Sequence, residues 1–186
     1  MSAEQQILDK AYAEVNDNIK FSEAKNAALI TLNSALISVC AEKVFNNDIA
    51  FLWRVLIAFV GIFLIIPLVV SIFSFRAITG SEKCVVKKVY RFIDNSNQIA
   101  NNPVKMLYYA YIAKHFKDDP EKYLNSLQID SKNPIFLQMA TQVVNLAVVA
   151  YRKFILFNIS IKIEFFILAF GGFGALASVI IKLFTH

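Results

Sequence analysis

Cysteine, histidine and charge are scarce in this chain, and each scarcity removes a class of function. Two cysteines, Cys40 and Cys84, occur among 186 residues. They are too few for a disulfide framework. One lies in an apolar run and the other in a polar stretch, so both are read as unpaired. The two histidines, His115 and His186, are isolated, and no metal-ligand spacing occurs. No metal and no cofactor are expected. Glycine is rare too, and its one cluster lies in an apolar stretch near the carboxyl end rather than in a phosphate loop. There is no nucleophile elbow and no H-E-x-x-H run, so no catalytic residue is assigned and an enzyme is not expected. The opening MSAEQQILDKAYAEVNDNIK lacks the apolar core and small-residue cleavage site of a signal peptide.

What is abundant is apolar surface. Apolar residues make up 57% of the chain and charged ones 18%, with seventeen Phe. One small soluble core cannot hide so many rings, which moves the reading to a membrane protein. The net charge of +5 suits Lys and Arg on a cytoplasmic side and does not argue for nucleic acid. Val55–Phe75, between Arg54 and Arg76, carries no charge and is apolar but for Ser71 and Ser74. At about 1.5 Å per residue it covers a hydrocarbon core of roughly 30 Å. Pro67 should kink it, and Trp53 suits an interfacial anchor. Phe165–Phe184 is a second span, with Lys182 able to snorkel. Gly171 with Ala175, and Gly174 with Ser178, let backbones approach. They pack either against the chain's own spans or against another subunit, which would make a homo-oligomer. Ala27–Ala41 is a shorter third span, joined through 42–54 to the next as a helical hairpin.

The result is an all-α membrane protein: residues 1–26 a cytoplasmic helix, 27–75 a transmembrane hairpin, 76–163 a small, mainly helical cytoplasmic insert, and 164–186 a carboxyl-terminal span. Thirteen of the nineteen Lys and Arg fall in the insert. Positive loops stay inside, so the amino end is expected in the cytoplasm and the carboxyl end outside. A helix over 7–45 carries Ser22, Asn26, Asn33 and Cys40 along one face, which is expected to meet other helices. Asn33 either bonds a neighbouring span or lines a pore. In the insert, 84–93 is strand or helix, 103–116 reads as a helix, and Asp119–Pro120 and Asn133–Pro134 mark two helix starts. The helix after Asn133 shows a polar stripe of Gln138, Gln142, Asn145 and Arg152 and runs into the last span without a break.

FSEAKNAALITLNSALI, NNPVKMLYYAYIAKHFKDDPEKYLNSL and QMATQVVNLAVVAYRKFILFNISIKI, in this order, resemble segments of the Pycsar effector membrane proteins, the PycTM family. Glu23 stands where that family more often has Asp, and Ser22 and Asn26 replace small apolar residues. The resemblance implies a bacterial antiphage effector of the inner membrane. A partner cyclase makes a cyclic pyrimidine nucleotide, cCMP or cUMP, and the effector impairs membrane integrity so that infection aborts. The implied partners are the lipid bilayer and that messenger. The positions carried over are Glu23, Lys25, Tyr108, Tyr109, Tyr151, Arg152 and Lys153. Lys25, Arg152 or Lys153 would pair with the phosphate, and Tyr108, Tyr109 or Tyr151 would stack on the base. Glu23, Asn26, Asn33, Gln138, Gln142 and Asn145 are candidates for gating. The same residues also admit plainer roles: Arg152 and Lys153 as a basic pair at lipid headgroups, the tyrosines as core. Other readings are a sensor of another cyclic (oligo)nucleotide, a constitutive holin-like pore, and a membrane scaffold.

Overall fold

The structure, a computed structural model, describes residues 2–46, 49–75 and 107–184, the last of them beyond Gly174 chiefly as backbone. Cys84, the stretch 84–93, the polar break 95–103, Lys182 and the small residues Ala175 and Ser178 lie outside what it describes in full. Every element among the described residues is a helix: α1 Ala3–Phe45, α2 Phe51–Phe73, α3 Tyr109–His115, α4 Pro120–Ser126 and α5 Pro134–Phe184.

α1 contains no Pro or Gly over its 43 residues. Ser2 caps it, its Oγ accepting from Gln5 N at 3.2 Å. α1 ends at Phe45, where the helix expected over 7–45 ends, but α2 begins at Phe51, so the connection is shorter than the 42–54 loop. Arg54 therefore lies within α2 rather than in the loop. Asp119 caps α4 as expected, its carboxylate accepting from Lys122 N at 2.9 Å with Pro120 in the first turn. Asn133 accepts from Ile135 N at 3.0 Å and starts α5. α3 is a correction: the helix expected over 103–116 begins only at Tyr109 among the described residues. Tyr108 has extended backbone (φ −77°, ψ 119°), which no helical turn accommodates. α4 ends at a left-handed Gln128, φ 59°. Gln128 N bonds Asn125 O and Ile129 N bonds Leu124 O, which closes the helix end around the buried Ile129 and Leu124.

The chain divides into two compact units, one of residues 1–23 and 76–154, the other of 24–75 and 155–186. The first has an ordinary core. Leu8, Ala11 and Val15 are buried at helical spacing on α1, and Ala140, Val143, Val144, Ala147 and Ala150 on α5, with Ile112, Tyr123 and Leu124 from the short helices.

The second unit is built the other way round. Its buried positions include Asn26, Asn33, Ser71, Ser160 and Glu164. Its exposed ones include Phe59, Phe63, Ile65, Ile66, Phe165, Phe166, Phe170 and Phe173. Polar groups inside and rings outside are what a lipid solvent selects. Three helices, α1, α2 and α5, are long and apolar enough to cross a bilayer. Two of the glycines let α5 lie close to α2. A Cβ on Gly171 would meet Val60 at 3.2 Å, and one on Gly174 would meet Leu56 at 3.4 Å. These two glycines thus serve the chain's own packing.

Pro67, buried within α2, is held from α5. Ser160 Oγ donates to the carbonyl of Pro67 at 2.7 Å and lies 2.8 Å from Ser71 Oγ. Since Ser160 has one proton, Ser71 donates to Ser160. Replacing Ser160 with alanine removes both links and is expected to cost about 1 kcal/mol. Ser71→Ala, which leaves the Pro67 bond intact, should cost less. Thermal unfolding of both variants in detergent checks the order.

Candidate functional site

The first unit gathers aromatic rings and cations at one end of its α5 segment. Tyr108, just before α3, is about half exposed, and its ring centroid lies 4.8 Å from that of Tyr109. Tyr109 is buried and stacks on Phe154 of α5 at 5.1 Å, and Phe154 meets Phe21 of α1 at 6.2 Å. Successive rings thus run from the exposed Tyr108 across the buried Tyr109 and the half-buried Phe154 to the exposed Phe21. Burial first, and then a hydrogen bond with the Tyr108 side chain, push the Tyr109 phenol above its ordinary range. It stays a neutral donor throughout the physiological range.

Charge sits beside these rings. The Lys153 ammonium, almost fully buried, forms an ion pair with Glu23 of α1. The two partners are unequal, for the Lys153 side chain is 11% exposed and that of Glu23 43%. Of the two, the carboxylate is the partner more open to solvent. Arg152, next in sequence, is half-buried. Lys114 of α3 stands 5.8 Å over the ring of Tyr151, which is itself buried. The first unit thus presents an exposed aromatic ring, a recessed ammonium and, next to it in sequence, a half-buried guanidinium.

A family model for the Pycsar effector protein domain, PycTM, matches residues 7–184. The chain belongs to the Pycsar effector family. No curated protein and no solved structure matches it.

The membership covers all three segments that carried the resemblance, and with it the assignment to a membrane-associated family of antiphage effectors. Of the residues carried over onto this Pycsar effector, Glu23, Tyr108, Tyr109, Tyr151, Arg152 and Lys153 fall in the first unit. Lys25 falls in the second, where its ammonium stands 5.3 Å over Phe157. Asn26 and Asn33 are buried there as well. The stripe of Gln138, Gln142 and Asn145 is exposed on the first unit and joins none of these groups. Sequence reasoning missed three partners. Lys114 was passed over because its spacing to Tyr151 is not local. Phe154 read as one more apolar residue of a long helix. Glu164 read only as the edge of a span, yet it is buried and accepts from Asn33 Nδ2 at 3.5 Å.

Proposed function

We propose that this Pycsar effector binds a cyclic pyrimidine mononucleotide, cCMP or cUMP, made by a partner cyclase during phage infection. In response it impairs the inner membrane, and the infected cell stops before phage mature. It acts without chemistry of its own. The observation that carries this reading is the family match over almost the whole chain, and the ring-and-cation end of the first unit gives it a place to act. In this reading the base stacks on Tyr108, the exposed tyrosine, while Tyr109, Tyr151 and Phe154 support the platform from beneath. The phosphate takes the ammonium of Lys153 from Glu23, with Arg152 as a second contact.

Release of Glu23 frees a side chain on α1, and occupation of Lys153 fixes one on α5. Both helices continue without interruption into the apolar unit. A ligand that prefers one arrangement of these two helices shifts the equilibrium of the spans by its differential affinity and no more. In this reading the amino end lies in the cytoplasm, where the messenger is made, as the Lys and Arg of the insert suggest, and copies of the chain assemble through their spans.

The test is direct. Full-length protein in detergent is titrated with cCMP, cUMP, cAMP and cGMP, read by thermal shift. Stabilisation by a pyrimidine nucleotide is expected, rising with concentration by mass action. In cells, expression alone should be harmless, and co-expression with the cyclase should depolarise the inner membrane. Toxicity without a cyclase, or no nucleotide response at all, overturns the reading.

A further inference from the structure

The second unit buries a carboxyl group. Glu164 is 4% exposed and Asn33 is fully buried. Asn33 Nδ2 donates to Glu164 Oε2 at 3.5 Å, a long bond, while the buried Oδ1 of the same amide has no hydrogen-bond partner. Among the described residues, no charged side chain pairs with this carboxyl. α1 carries no charged residue between Lys25 and Glu42, and α2 none after Arg54. On α5 the nearest cation, Lys162, is exposed. Ser160, one turn earlier on α5, has its proton committed to the carbonyl of Pro67. An ionised carboxylate here would have one long amide hydrogen bond and no paired cation among the described residues, a costly arrangement in a low-dielectric interior. The orphaned amide oxygen beside it would remain unsatisfied as well.

One proton removes both difficulties. We propose that Glu164 is a proton-binding site inside the apolar unit. It holds its proton at neutral pH and donates it to Oδ1 of Asn33, so that acid and amide are joined by two hydrogen bonds. Turning the amide over gives the same result, because Oδ1 would then face Oε2 and again need a proton between them. The pair links α1 to α5 without a net charge. It also gives the polar face of α1 a purpose that does not depend on the identity of any nucleotide.

Infrared spectra of the full chain in phosphatidylethanolamine–phosphatidylglycerol vesicles at about pH 7 test this, since exposed Asp and Glu are ionised there. Glu164→Gln is expected to remove one band of a protonated carboxylic acid and to leave the unfolding temperature nearly unchanged, because the glutamine amide reproduces both bonds. Loss of carboxylate bands alone overturns the proposal. If Glu164→Gln does not fold, Asn33→Leu gives a second readout. The acid band should shift to higher frequency as its acceptor disappears, and an unmoved band overturns the pairing. Replacing sodium and potassium by N-methylglucamine should change nothing. A protonated band that appears only without those ions would assign the site to a cation and overturn the proposal.

Discussion

Glu23→Gln and Lys153→Met are expected to move cyclic-nucleotide affinity in opposite directions. Lys153 is recessed and Glu23 half exposed, so the carboxylate is the more easily displaced partner. Removing its charge takes away the phosphate's competitor. A partly exposed ion pair is worth about 1 kcal/mol or less, so Glu23→Gln should tighten binding by up to about fivefold. Lys153→Met keeps the stem and removes the ammonium. The loss of a charge-assisted bond, about 1.5–3 kcal/mol, should weaken binding roughly 10- to 100-fold. The first variant should lower the messenger level needed for membrane damage, and the second should abolish damage at any level the cyclase reaches. Calorimetric titration with cCMP and cUMP measures both. Should both variants merely lose stability, with affinities unchanged, Lys153 is a structural residue and the proposed phosphate contact is wrong.

Tyr123→Ala is expected to have the largest effect on stability. Tyr123 of α4 is fully buried, and its ring centroid lies 5.3 Å from that of Phe116. Its phenol is pushed above the ordinary range, by burial first and by the negative charge of Glu14 second. It therefore titrates at no physiological pH. Truncating a buried aromatic ring costs about 3–5 kcal/mol through lost burial and the cavity left behind. The short helices α3 and α4 have seven residues each. They cannot persist on propensity alone, and depend on this packing. Limited proteolysis should then cut near α4, and nucleotide response should disappear with it. Tyr123→Phe keeps the ring and should cost far less. A silent Tyr123→Ala would mean that the first unit is not held by this core.

The long elements were legible in the sequence because their signals are additive. An uninterrupted apolar run needs no partner to be recognised, and the start signals at Asp119 and Asn133 act within their own first turn. The polar face of α1 was legible for the same reason, since Ser22, Asn26 and Asn33 repeat at helical spacing and all three are buried. What could not be read is what those faces meet. Glu23 and Lys153 are 130 positions apart, and so nearly are Asn33 and Glu164; no local pattern pairs them. The start of α3 was misplaced because an aromatic run looks helical whether or not its first tyrosine is. Only backbone geometry shows that Tyr108 stands outside the helix, and that is also what leaves its ring exposed.

The inverted distribution of the second unit has a thermodynamic corollary. Expulsion of water drives the first unit's folding, and carries the positive heat capacity of unfolding that comes with exposing apolar groups. Surrounded by acyl chains, the second unit gains nothing of that kind, because its phenylalanines meet hydrocarbon whether or not its helices associate. Cooling should therefore loosen the water-facing unit while leaving the helix-to-helix bonds of Ser71, Ser160, Asn33 and Glu164 nearly indifferent to temperature.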